Sequence, residues 1–380
     1  MAATARIGLL RKHFRPLKDP RVVGRSRHLL FDIIVLALCG VIANCDDWPD
    51  IALFAHKREA WFGRFLQLPH GVPSHDTFER VFAVLDPRVF ERCCLAWLRE
   101  VAGLVGVGHI AIDGKTLCGS AGSSLGPLHL VSAWATQANL TLAQVAVDGK
   151  GNEITAIPQL LALLDLDGAL VTIDAIGCQK AIAKQIVAGG GDYVLAVKGN
   201  QGRLLDDIQE TVAQALDGEL PAGKVRQYTT TEERHGRREE RSCVMIEYTR
   251  GIRDRKEWHN LTTVGMVRHT RTVNGETTTE ARYFIGSRRM GARRYLAALR
   301  DHWTIENNQH WQLDVSFRED ANRVENRHGA ANLALMRKMA LGLLKRHPAK
   351  ASIARKRKTA ALDPEFLAET LAGAMNLDKI

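Results

Sequence analysis

At His109 the pattern of the chain changes, and that change restricts the fold more than any other feature. Before it, residues 28 to about 105 carry helical periodicity, with apolar side chains returning on one face. After it come short β-prone runs at 109–113, 129–136 and 141–147, separated by Gly, Ser, Asn and Asp. Beyond Asp148-Gly149, the pattern predicts an amphipathic stretch from Glu153 to Leu164, a buried strand from Ala169 to Asp174, a helix around Gln179 to Val187, and a strand from Tyr193 to Lys198. The order β-β-β-α-β-α-β implies an α/β fold: a mixed sheet covered by helices on both faces, because each crossover helix must bury its apolar stripe.

That order is the one expected of an RNase H-like core. The pattern continues with a helix from Arg203 to Ala215, a β-rich stretch over roughly 225–286 with Asn274-Gly275 as a hairpin turn, and helices from Ala292 to about Leu313 and from His328 to Lys345. The expected organisation is an all-helical N-terminal domain (1–105), a catalytic core in two parts (106–220 and 288–346), a β-rich insertion between them (221–287), and a basic C-terminal tail with a short helix (347–380). In the N-terminal region, Asp76 and Glu79 read as N-cap and N3 of a capping box.

The apolar run from Leu29 to Ala43 is broken by Asp32 and is shorter than the roughly 20 residues of a membrane-spanning helix, so it reads as a buried helix and the protein as cytoplasmic. Seven cysteines form no C-x-x-C pair, which argues against a disulfide framework or a zinc site. With 52 basic and 42 acidic residues the chain carries +10, a balance that favours a polyanionic partner. Lys345 to Lys358 holds seven Lys or Arg and no acid, so without it only about +3 remains; this segment reads as a solvated basic end.

Three carboxylates stand out. Asp113 ends the first strand in Ala-Ile-Asp-Gly-Lys, Asp174 ends the fourth in Val-Thr-Ile-Asp-Ala, and Glu306 lies mid-helix in His-Trp-Thr-Ile-Glu-Asn. Each alone has a plain reading, as a turn, a cap and a solvated helical glutamate. Together they mean more, because the first and fourth strands of such a sheet lie side by side and parallel, bringing both aspartates to one edge. An all-oxygen cluster there suits Mg²⁺, two ions being expected with Mn²⁺ as a substitute, for in-line displacement at phosphorus. Asp314 is a competing acidic ligand, and His302, Glu306 and His310 share a helical face, although no H-E-x-x-H motif supports zinc.

The segments Pro-Ser-His-Asp-Thr-Phe (73–78), Ile-Asp-Gly-Lys (112–115), Thr-Ile-Asp-Ala-Ile-Gly-Cys-Gln (172–179), Asp-Tyr-Val-Leu-Ala-Val-Lys-Gly-Asn-Gln (192–201) and His-Trp-Thr-Ile-Glu-Asn (302–307) are jointly specific. Over nearly its whole length the chain resembles the H-repeat-associated, ISAs-type transposases of bacterial insertion sequences, a branch of the DDE transposases with an inserted β domain. The resemblance implies that Asp113, Asp174 and Glu306 are the catalytic, metal-binding residues. It also implies a long insertion before the third of them. Related transposases often carry Tyr, Arg and Lys around the glutamate, whereas here His302 precedes it by four positions and Leu313 follows by seven.

Candidate DNA contacts are Lys115, Lys198, Asn200, Gln201, Arg288, Arg289, Arg293, Arg294 and His302. The N-terminal helices are expected to read the element's terminal repeats, although no helix-turn-helix signature is present. The expected function is Mg²⁺-dependent hydrolysis at element ends followed by 3′-hydroxyl strand transfer into target DNA, by a homodimer on DNA. The rivals are a metal-dependent nuclease or resolvase on the same fold, and a non-catalytic DNA-binding protein descended from a transposase.

Overall fold

The computed structural model describes residues 2–22, 24, 26–102, 107–120, 126–147, 152–234 and 236–372. The Asp148-Gly149 turn and the last eight residues of the C-terminal segment lie outside the described residues.

The N-terminal helices are α1 (Ala2–Phe14), α2 (Leu30–Ile42), α3 (Trp48–Lys57), α4 (Glu59–Phe62), α5 (His75–Val84) and α6 (Pro87–Ala102). Apolar on almost every side, α2 is buried along nearly its whole length, and its one acid, Asp32, accepts the backbone N–H of Leu68. The expected capping box on α5 is corrected: the helix begins at His75 behind an extended Ser74, so Asp76 lies inside the first turn. Ser74 Oγ meets Thr77 Oγ1 at 3.2 Å and caps no backbone N–H.

Strands β1 (His109–Leu117), β2 (Leu128–Ala135) and β3 (Leu140–Ala146) form an antiparallel meander. Helix α7 (Glu153–Leu161), β4 (Leu170–Ile173), α8 (Lys180–Ala188), β5 (Asp192–Val197) and α9 (Gly202–Leu216) follow, with β4 parallel to both β1 and β5. This is the RNase H-like order that the sequence predicts. The chain then makes β6 (Val225–Arg234), β7 (Arg237–Ile246), β8 (Thr263–Val273) and β9 (Glu276–Gly286). Among the described residues the nine strands form one sheet, in the order β3-β2-β1-β4-β5-β9-β8-β7-β6. The β8–β9 hairpin turns at Asn274 (φ 50°) and Gly275 (φ 84°), the left-handed pair that a tight two-residue hairpin requires.

The β-rich stretch is thus an extension of the core sheet, joined to it where β9 pairs with β5 from Val197↔Tyr283 to Val194↔Gly286. Residues 276–282 run on past that contact, an arm of roughly 20–24 Å at about 3.4 Å per residue.

Helix α10 (Ala292–His302) crosses the sheet, a π-helical turn spans Glu306–His310, and α11 (Trp311–Ser316), α12 (Arg327–Arg346), α13 (Ile353–Leu362) and α14 (Pro364–Leu371) complete the chain. Almost wholly buried, α12 packs on α2, α5 and α6 as well as on β2 and β3, so one apolar core runs from the N-terminal helices into the sheet. Its Lys338 donates to Ser132 Oγ and Gln144 Oε1, each at 2.8 Å, while Glu91 of α6 accepts the Gln144 N–H at 2.6 Å. Burial holds Lys338 down at about 8 and Glu91 up at about 7.

The reading of Lys345–Lys358 as a solvated end is corrected. Lys356 Nζ donates to the carbonyls of Leu344 and His347, and Arg357, 0% exposed, reaches Val41, Cys45 and Ser316 carbonyls and the Asp46 carboxylate. These cations are buried because α13 packs on α2 and its charges satisfy the open C-terminal carbonyls of the helices it meets.

All seven cysteines are free, six of them buried. Among the described residues no helix is long and apolar enough to cross a membrane.

Candidate active site

Asp113 does not end its strand, as the Asp-Gly pair suggests. β1 continues to Leu117 against β2, and what stops beside Asp113 is the parallel pairing with β4, whose last match is Ile112↔Ile173. Asp174 is the next residue on β4's side. Both aspartates therefore stand at the edge where two adjacent parallel strands finish. Asp174 Oδ1 accepts the Ile176 N–H at 3.0 Å, which curls the backbone away from the sheet and holds the carboxylate at its rim.

Burial raises Asp113 to about 7, against the Gly114 N–H that it accepts at 2.9 Å; the charges of Asp174, Glu153 and Glu306 push in the same direction as burial. Asp174 is also raised, by burial first and then by Glu153. The Asp113 Oδ2 atom meets His310 Nδ1 at 3.5 Å, but burial drives His310 down to about 3, so the ring is neutral and leaves the carboxylate charge unbalanced.

Glu306 comes to this edge on the sheet face that α10 covers, where Ile305 packs with Ala111 and Trp134. α10 runs up the sheet until His302 lodges behind the aspartates, Trp303 interrupts the helix, and the π turn from Glu306 to His310 follows. Such a turn inserts one residue into the helical path and re-aims the side chains around it. Here it presents Glu306 to solvent, buries Gln309, which donates to Thr141 Oγ1 at 2.8 Å, and sends His310 to Asp113. The one-face arrangement of His302, Glu306 and His310 is lost at this turn, and among the described residues no set of three His, Cys, Asp or Glu side chains closes into a metal cage.

The candidate DNA contacts separate into three groups. Lys198 is exposed at the end of β5, on the carboxylate edge, and its charge acts on Asp174. Asn200 and Gln201 are next to it, but their amide groups donate to the carbonyls of Ala175 (2.7 Å) and Cys178 (2.9 Å), bracing the loop after Asp174. Arg288 lies at the opposite end of the sheet, held by Asp192 Oδ2 (2.7 Å) and the Gly168 carbonyl (2.8 Å). Arg289, Arg293 and Arg294 share that end, exposed and about 16 Å of helix from the carboxylates. His302 is buried and shares the Thr172 hydroxyl with His109, at 3.1 and 2.9 Å, which leaves it no surface to offer. Burial depresses both rings to about 4, so Thr172 serves two neutral imidazoles.

Lys115 is also engaged within the fold. Its ammonium binds Asp314, Glu319 at 2.7 Å and Asp320 at 3.7 Å, and Glu319 is almost fully buried. Asp314 is thereby committed to a lysine. Replacing Lys115 with Met strands the Glu319 carboxylate in the core, and we expect a loss of about 3 kcal/mol in urea unfolding; a loss below about 1 kcal/mol would show that solvent already compensates Glu319.

Two residues near the aspartates escape a reading of the sequence. His310 is considered there only as a zinc ligand, since a π turn leaves no periodic trace. Glu153 reads as the polar start of an amphipathic helix. The signal available for it is the count of strand directions: after an up-down-up meander the chain emerges at the same edge as Asp113.

Two family descriptions match the chain. One, a domain associated with the DDE domain, covers residues 11–98, and the other, described as "Transposase DDE domain", covers residues 107–343. The chain belongs to the DDE transposases. It is 38% identical to the "Putative transposase YncI" of Escherichia coli O157:H7, over 95% of this chain and 94% of that one. To the "H repeat-associated putative transposase YhhI" of Escherichia coli strain K12 it is 35% identical, over 96% and 98%. A piggyBac transposase synaptic complex with hairpin DNA superposes at a TM-score of 0.42 with 9% identity, covering all of this chain and 78% of that one. As a DDE transposase of the H-repeat-associated group, the protein has the mixed sheet predicted for it.

Proposed function

We propose that this transposase cuts DNA at the ends of its insertion sequence and joins the freed ends to target DNA, using Asp113, Asp174 and Glu306 with divalent metal ions. The observation that carries the reading is the pair of half-buried aspartates where the parallel pairing of β1 and β4 stops, with the Asp113 carboxylate faced by a neutral His310. Uncompensated carboxylates raise one another's pKa, and a cation relieves that cost. The donor set is all oxygen, which suits Mg²⁺ or Mn²⁺. Such a hard ion keeps several waters and takes further ligands from substrate phosphates.

Such ions lower the pKa of an attacking water or hydroxyl and offset charge on the transferred phosphoryl group. The side chains supply the rest. Asp113 and Asp174 would hold the cations at the rim of the sheet, Glu306 would close the site from the α10 side, and Lys198 offers a phosphate contact at the same edge. Hydrolysis breaks one P–O bond and leaves a 3′-hydroxyl. Attack by that hydroxyl on a second phosphodiester forms one P–O bond as another breaks, so no covalent enzyme intermediate is required. Two element ends must be brought together, for which a homodimer on DNA is the expected assembly.

The test is to incubate the full chain with labelled DNA carrying the element's own ends and an unrelated target, with Mg²⁺, Mn²⁺ or chelator. We expect metal-dependent cutting at the ends together with end-to-target joined strands on a denaturing gel. Cutting without joining would instead identify a nuclease, and binding without cutting a DNA-binding derivative.

A further inference from the structure

We infer that Glu153, at the start of α7, is a fourth carboxylate of the cation-holding group, and that His129 is the positioning residue that aims it. The inference rests on the metal-dependent reading above and extends it to the other face of the sheet.

Three observations carry it. Helix α7 begins at the carboxylate edge because β1, β2 and β3 alternate in direction, so the chain leaving β3 starts its helix beside Asp113. Asn152 caps that helix through a reciprocal pair with Thr155, which fixes where Glu153 stands in the first turn.

Second, the Glu153 carboxylate is oriented. His129 Nε2 donates to its Oε1 at 2.8 Å, while His129 Nδ1 meets the Thr116 hydroxyl at 2.8 Å, which sets the tautomer if the hydroxyl donates. His129 and Thr116 are cross-strand partners on β2 and β1, so the chain of bonds is anchored in the sheet. A carboxylate with one oxygen held by a ring N–H and the other free is how ligating groups are commonly aimed.

Third, the residue after Asp113 is glycine, and the space its side chain would fill is taken by this pair. A Cβ on Gly114 would lie 2.2 Å from Glu153 Oε1 and 2.5 Å from His129 Nε2. The glutamate thus reaches the backbone beside the first aspartate, and its charge acts on both Asp113 and Asp174. A glutamate serving only the helix start would turn to solvent, away from two like charges. Held against the Gly114 backbone by His129, it adds its charge to that of Asp113 and Asp174, a repulsion that a divalent cation would relieve.

The experiment is titration of the metal-free full chain with Mn²⁺ by calorimetry, without DNA, for the wild type, Glu153→Gln, Glu153→Asp, His129→Gln and Asp113→Asn, with a thermal melt of each. Glu153→Gln keeps the side chain's size and an acceptor for His129, so we expect an undiminished melting temperature with Mn²⁺ affinity weakened about tenfold or more. Glu153→Asp falls between it and the wild type, and His129→Gln weakens affinity severalfold with every carboxylate intact. Wild-type Mn²⁺ affinity in Glu153→Gln beside weakened affinity in Asp113→Asn overturns the inference and leaves the metal reading of the aspartates standing. Unchanged affinity in Asp113→Asn as well removes both. If Glu153→Gln does not fold, His129→Gln takes its place: weakened affinity supports the inference, and wild-type affinity overturns it.

Discussion

Asp113→Asn is expected to abolish the proposed cutting of the element's ends, by about 1,000-fold or more, and at the same time to make the metal-free protein more stable at pH 8. On the proposed reading the first effect comes from losing one anionic holder of the cation; 1,000-fold corresponds to about 4 kcal/mol of barrier. The second follows from Asp113's raised pKa, about 7 in the fold against an ordinary value of 3.8. Between those values the folded protein holds a proton that the unfolded chain has released, so this group's stabilising contribution is present at low pH and is lost as pH rises through about 7. Asparagine carries no charge and escapes the loss. With partial solvent screening we expect a gain of about 2 kcal/mol at pH 8 and almost none at pH 4. Mg²⁺ should raise the melting temperature of the wild type at pH 8 and leave the variant nearly unmoved. Urea unfolding at the two pH values, with and without Mg²⁺, checks this; equal stability of the two proteins at both would mean that Asp113 is not strained by its neighbours.

Arg357→Ala has the largest expected effect on folding. The guanidinium is fully buried between α13 and α2, with Nε and Nη2 on the Val41 carbonyl at 3.2 and 3.0 Å and Nη2 on Asp46 Oδ1 at 3.0 Å. Its plane also lies 4.1 Å from the Phe317 ring centroid. Truncation leaves several carbonyls without donors and a cavity beside the ring, a loss of about 3–5 kcal/mol. Arg357→Lys recovers only a minor part, because one ammonium cannot serve the carbonyls of α2 and α11 together. A drop in urea midpoint equivalent to less than about 1 kcal/mol would contradict this account.

The strand order was legible because buried parallel strands and their crossover helices leave distinct periods, and Asp174 follows directly from the end of such a strand. At Asp113 the Asp-Gly pair suggests a turn, whereas β2 keeps β1 extended through Leu117. The arginines at 288–294 adjoin the Glu306 helix in sequence, but α10 spans the height of the sheet between them and that residue. Likewise Lys356 and Arg357 have the composition of a solvated end, and only the carbonyls of the helices that α13 meets make them core residues. The π turn at Glu306 has no compositional mark, so the side chain next to Asp113, that of His310, could not be deduced from helical spacing.

The chain closes on itself late. β5 acquires its outer neighbour only when β9 arrives, the glutamate helix follows that, and α2 of the first fifty residues is covered by α13 near the other terminus. During synthesis, therefore, an emerging fragment can hold the two aspartates but neither Glu306 nor the buried arginine that locks the ends of the chain together. An interrupted or truncated translation product is left without a complete carboxylate set and without a closed core. For a protein whose proposed chemistry is to break DNA, this ordering ties competence to cut to synthesis as far as α13.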